Sequence, residues 1–257
     1  MDKTRAKAFR RLFFEMKAVW LSGPDPMGSP YRDGGREDFT EWTVVPVAWG
    51  WTARIARSGE GSIRLAEMGL AEEAAPILRS ATEHAMWLWW LRADRGKVVE
   101  VLRRAQKESL GRIKKAQSIG WPLDAPTLET IEVLILEANE QHINLDTYAH
   151  LGNLARRFKD DIGNLYPAWL YDTQTSHATL QSASAYYSAI PAGEPKGPGF
   201  RLLHTPSTVD NTAAKAAVAF HVGLTGYSKT AGLEAYFQPR LDGFQERFGE
   251  LSALAKP

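Results

Sequence analysis

Cysteine is absent from the 257 residues, which excludes disulfides and thiol catalysis and suits a reducing cytoplasm, the expected location. A charge excess is lacking too. Thirty-one Lys and Arg stand against 30 Asp and Glu, so no global field draws the chain to nucleic acid or an anionic membrane. Long apolar runs are missing. Ala85–Leu91 is the longest, far short of the roughly 20 residues that span a bilayer, and no membrane partner is expected. The amino terminus carries Asp2, Lys3, Arg5 and Lys7, then Glu15 and Lys17, and so lacks the clean apolar segment of a secretion signal. No Walker loop, dinucleotide glycine motif or nucleophile elbow occurs, so no cofactor is expected and common nucleotide enzymes and serine hydrolases are disfavoured. Nor is there a Glu-x-x-His pair. Glu83-His84 and Glu140-Gln-His142 put their ligands on different helix faces, and no dinuclear metal centre is expected. A single metal held by Glu83, His177 and another His stays open.

What is present is helical periodicity with 44% hydrophobic residues and nine tryptophans. Phe9, Leu12, Phe13, Met16 and Trp20 predict a helix over 2–21, ended by Ser22-Gly-Pro-Asp-Pro. A Gly/Pro-rich loop of about 15 residues follows. Residues 39–67 read as a helix with Trp42, Val45, Trp49, Ile55 and Ile63 as core candidates and a break near Gly59–Gly61. From Arg92 to Lys115 lie nine bases and three acids, and from Asp124 to Glu140 five acids and no base. That pattern predicts an antiparallel helical hairpin with a complementary seam, against the rival reading of a helix that tracks RNA phosphates. Residues 164–189 read as a helix, 191–208 as a surface loop, and 209–232 and 234–254 as two closing helices. The expected fold is all-α, one domain over 1–257 of seven to nine helices, with no strand pattern outcompeting a helical one.

The run Gly69–Leu91 is apolar on every side from Ile77 onward, which predicts burial on every side. Arg79 and Glu83 lie one turn apart within it and are expected to be desolvated and paired. Trp87 and Trp90 continue their face. On the later helix, Trp169, Thr173 and His177 are spaced four and four, with Tyr171 and Ser176 nearby. The two helices predict a polar cluster. It is either an architectural network that fixes helix register, or a pocket in which Arg79 holds an anion while Glu83 and His177 act as acid and base.

Two resemblances attach to these residues. Arg79 with His84 resembles the Arg/polar/His pattern of HEPN ribonucleases, which implies His84 as base on a ribose hydroxyl, Arg79 on the phosphate, an RNA substrate and a homodimer. Gly69, Ala74, Leu78, Arg79, Ser80 and Glu83, followed by an aromatic, hydroxyl, His ladder, resemble an uncharacterised family of bacterial all-helical proteins described only as a domain of unknown function. That resemblance covers about 40–190 and implies a helical fold with Arg79, Glu83 and His177 prominent. This chain has Trp169 and Thr173 where that family usually has Tyr and Ser. Three functions follow as readings: a HEPN-like ribonuclease or defence-type effector, a non-enzymatic module that recruits a protein partner, and a small-molecule-binding or metal-dependent helical enzyme. Dimerisation is suggested by the small residues from Ala213 to Ala219.

Overall fold

The computed structural model describes residues 3–26, 39–116, 120, 124–137, 150–190, 199–206 and 210–253. The loop expected after the first helix, Glu140, His142 and most of the loop after residue 190 lie outside them. The described residues form ten helices and one two-stranded sheet. They are α1 (Lys3–Leu21), α2 (Phe39–Glu67), α3 (Ala75–Ala116), α4 (Ala125–Glu137), α5 (Leu151–Arg157), α6 (Lys159–Ile162), α7 (Leu165–Ser176), α8 (Leu180–Ser184), β1 (Tyr187–Ile190), β2 (Gly199–Leu202), α9 (Thr212–Ala231) and α10 (Glu234–Ala253). The all-α expectation holds.

The centre is α9, of whose 20 residues 14 are buried. Its alanines and glycines let α2 and α3 approach closely. A Cβ at Gly226 would lie 3.1 Å from Leu88 Cβ, and one at Gly223 would lie 2.6 Å from Ile55 Cδ1. Ala213, Ala216, Ala217 and Ala219 are buried inside the chain, so these small residues serve internal packing and lend a homodimer no support. Trp89 and Trp90 of α3 are almost fully buried, each contributing about 1.5–3 kcal/mol of burial free energy on the aliphatic and Phe scale. The α1 stripe Phe9, Leu12, Phe13, Met16 and Trp20 closes the core from the other side.

Several expectations change. Helix α2 runs without a break through Gly59–Gly61, because packing on α1 and α9 overrides the intrinsic cost of glycine. Trp49 is 38% exposed rather than core. The basic segment follows the Arg79 helix within α3 across a kink at Asp94, where the backbone leaves helical geometry, and it forms the expected hairpin with α4, including a Lys114–Glu132 ion pair. The helix expected over 164–189 ends at Ser176. There Thr175 and Ser176 hydroxyls donate back to the Asp172 carbonyl, and Thr179 and Ser182 form a reciprocal capping box that starts α8. Clustered hydroxyl side chains compete with the helix ladder for backbone groups. The remainder becomes β1, paired antiparallel with β2 so that Tyr187 faces Leu202, a hairpin the helical periodicity missed.

Candidate functional site

Helix α7 presents two adjacent stripes to the rest of the chain. The first, Tyr166, Trp169 and Thr173, meets α3 at Arg79 and Glu83. Arg79 Nε donates to Thr173 Oγ1 at 3.0 Å, and its Nη2 lies 3.6 Å from Glu83 Oε2. The Trp169 indole N–H donates to the same Glu83 oxygen at 3.2 Å. Arg79 also sits over the Trp169 ring, 5.1 Å from its centroid, with Tyr166 stacked against that ring at 5.9 Å. Thr173 in turn donates to the Trp169 carbonyl at 2.7 Å. The structure therefore joins Arg79, Glu83 and Thr173 across 94 residues of sequence. It does not desolvate them: the Arg79 and Glu83 side chains are 30% and 35% exposed, because α7 covers only one flank of this α3 face.

The two histidines stand apart from that cluster. His84, five residues from Arg79, is rotated about 140° around the helix. Its Nδ1 donates to the Ser80 carbonyl at 2.6 Å and its ring meets Trp51 of α2 edge-on. Trp87 belongs to that same α2-facing layer, in contact with Trp51 and Trp90, and does not continue the Arg79 face. His177 is the exposed residue just past the end of α7, in extended backbone. Once the helix has stopped, the four-residue spacing no longer stacks it above Thr173. The HEPN pattern thus receives no support from the geometry. Ser176 is occupied by its bond to the Asp172 carbonyl, at 2.5 Å. Among the described residues no group of three His, Asp or Glu side chains could hold a metal ion, so Glu83 and His177 form no such set with any described His.

The second stripe of α7, Ala168, Tyr171, Asp172 and Thr175, lines a cavity of about 300 Å³, at the small end of the ~300–1,000 Å³ usual for ligand sites. The α3 side supplies Glu72 and Leu78, and the start of α9 supplies Asp210, Thr212 and Lys215. Asp172 is 1% exposed. Its Oδ1 accepts a bond from Lys215 Nζ, and its Oδ2 is buried with no partner among the described residues. Loss of solvent raises the Asp172 pKa above the ordinary 3.8, the Lys215 charge and hydrogen bond pull the other way, and nearby Glu72 adds to the rise. Tyr171 is half exposed and holds Lys215 Nζ 4.8 Å from its ring centroid. Of the sequence-derived candidates only Tyr171 faces this cavity. Asp172 and Lys215 were missed, although a signal existed: Asp172 is the sole charged residue of α7, and Lys215 is the sole charge in the first 17 residues of α9.

Residues 47–190 match a family profile. The chain belongs to DUF5677, a family of unknown function. The match confirms the resemblance read from the Arg79 and Thr173 helices, and it runs from within α2 to the end of β1. Within the DUF5677 segment lie the Arg79 cluster and Asp172, whereas Lys215 and the α9 wall of the cavity come from beyond it. No curated protein and no solved structure matches the chain. No helix among the described residues is long and apolar enough to cross a membrane.

Proposed function

We propose that this DUF5677 protein binds a small polar molecule in the cavity between α3, α7 and the start of α9, with Asp172 as the group that meets it. The observation that carries this reading is the buried Asp172 carboxylate oxygen without a donor among the described residues. An unsatisfied buried acceptor costs about 1–3 kcal/mol, and such groups cluster where a ligand completes the bonding. The carboxyl also has the character of an acid or base. Its proton is held more tightly than that of an ordinary aspartate, which brings proton exchange with a bound molecule closer to neutral pH.

The Arg79, Glu83, Trp169 and Thr173 cluster has a positioning role in this reading. Its groups satisfy one another, and they lock the rotation and height of α7 against α3, which sets where Asp172 stands. The ribonuclease reading lacks a converging Arg and His, and the basic half of α3 is met in part by α4 acids. We do not adopt it.

The test is a screen of the full chain against a library of small polar metabolites by ligand-observed NMR, repeated on Ala168→Phe, which fills the cavity. Compounds that bind the wild type and are lost from an equally folded Ala168→Phe would establish the site. A library that never binds, or hits indifferent to the substitution, would refute it.

A further inference from the structure

The geometry points to a protonated amine on a short apolar body as the ligand of this cavity, with Asp172 Oδ2 accepting its hydrogen bond; the inference rests on the reading of the cavity as a ligand site. Three observations converge on it. The first is the vacant acceptor. Oδ1 is already taken by Lys215, and no group among the described residues donates to Oδ2, so the molecule that completes the site brings an N–H or O–H.

The second is charge. Glu72, Asp172 and Asp210 are the acids of the wall and Lys215 is its base, which leaves the cavity negative with all four groups ionised. The positive end of the α9 dipole does not reverse this, because Asp210 already accepts from the Thr212 backbone N–H at 2.8 Å. A carboxylate or phosphate entering here would meet like charge, whereas an ammonium would meet opposite charge in a partly desolvated setting.

The third is the surroundings of the acceptor. The Tyr171 ring already carries one ammonium, that of Lys215, on its π-face, and its half-exposed ring offers a second cation the same attraction. Ala75, Leu78 and Ala168 form an apolar floor suited to a few methylenes. The volume restricts the body to a short one.

Isothermal titration of the full chain with three four-carbon probes tests this: 1,4-diaminobutane, 1,4-butanediol and succinate, at one pH and ionic strength. The diamine is expected to bind at least about tenfold more tightly than the diol, and succinate not at all. Asp172→Asn should weaken the diamine at least about tenfold, and Ala168→Phe should abolish its binding. Should Asp172→Asn fail to fold, Glu72→Gln serves instead, and should weaken the diamine while leaving the diol unchanged. Diol or succinate binding as tight as the diamine, lost in Ala168→Phe, overturns the amine while the cavity reading survives. Absence of heat from all three probes also overturns the amine, and the metabolite screen then decides the cavity. Diamine binding untouched by both Asp172→Asn and Ala168→Phe overturns the two together.

Discussion

The Trp169 indole N–H donates to Glu83 Oε2 at 3.2 Å across 86 residues of sequence. Glu83 thereby accepts the indole hydrogen bond and also forms a looser ion pair, with Arg79 Nη2 3.6 Å from the same oxygen. The indole bond is the shorter contact. The Arg79 contact is long and a third exposed, so solvent reduces it to a few tenths of a kcal/mol. Trp169→Phe, which keeps a ring beneath Arg79 and loses the donor, is expected to cost about 1 kcal/mol. Trp169→Ala should cost about 3 kcal/mol or more, because the stack on Tyr166 and the cation–π contact go with it. Urea denaturation of both variants checks the order: a Trp169→Phe as stable as wild type would show that the indole N–H contributes nothing, and equal losses would show that the ring contacts contribute nothing.

Two glycines of α2 should answer alanine with opposite signs. Gly50 is exposed, and a Cβ there meets nothing within 4 Å, so Gly50→Ala should stabilise by about 1 kcal/mol through helix propensity alone. A Cβ at Gly59 would lie 2.6 Å from the buried Phe13 ring, which is itself held 5.4 Å from Phe220. Gly59→Ala should therefore destabilise, by about 1–3 kcal/mol of overpacking less the propensity gain. Thermal melts of the two variants side by side give the comparison, and a stabilised Gly59→Ala would mean that Phe13 has room to move.

Lys215→Met leaves the Asp172 carboxylate buried without its counter-charge. At neutral pH the expected loss is about 3–5 kcal/mol. The loss should shrink with acid. The folded pKa of Asp172 already lies above 3.8, and removing Lys215 raises it further. Between the unfolded and folded values the folded chain holds a proton that the unfolded chain has released, so stability falls as pH rises through that window. Denaturation at pH 7 and at about pH 4 should show a large gap between wild type and variant at the first and a small gap at the second. A pH-independent gap would mean that Asp172 does not take up the proton.

His221 follows the opposite rule. It is packed between α9 and α10, its Nε2 donates to the Leu241 carbonyl at 3.1 Å, and its ring meets Phe248 edge-on. Burial lowers its pKa below the ordinary 6.5, against smaller opposing effects from the Leu241 bond and Asp242. The stability it lends is present above the unfolded pKa and is lost as pH falls through the folded one. His221→Phe should be less stable than wild type at pH 7, with the difference narrowing by about pH 5. Constant separation of the two curves would contradict a depressed pKa.

How legible was this in the residues? The α1 stripe, the span of α2 and both closing helices were readable within a residue or a few, because each carries an uninterrupted apolar period that tertiary packing then uses. The meeting of Arg79 and Glu83 with Thr173 was readable as well. Polar groups in apolar helices need partners, and few were on offer. The end of α7 was not, because the hydroxyl bonds of Thr175, Ser176 and Thr179 to backbone are local choices that periodicity does not record. His177 was misplaced for that reason alone. The cavity escaped for a different one. It is assembled from three elements spread over 71–215, and a lone Asp or Lys in an apolar helix announces a partner without saying which.

Asp94 interrupts the helical backbone of α3, at φ −127° and ψ 31°, while its carboxylate accepts from Trp90 Nε1 at 3.1 Å and from both terminal nitrogens of Arg157 on α5. On the near side of this point stand Leu88, Trp89, Trp90 and Leu91, wholly enclosed; from 104 to 115 no described residue is buried. The kinked element α3 thus spans two levels of local stability. Amide hydrogens of the Leu78–Leu91 stretch and of α9 can reach solvent deuterium only when the whole core opens. Those beyond Arg104 need no more than fraying against α4; Val98 and Val101 past Asp94 are still buried in the core, so the boundary between two cooperative units falls near Arg104.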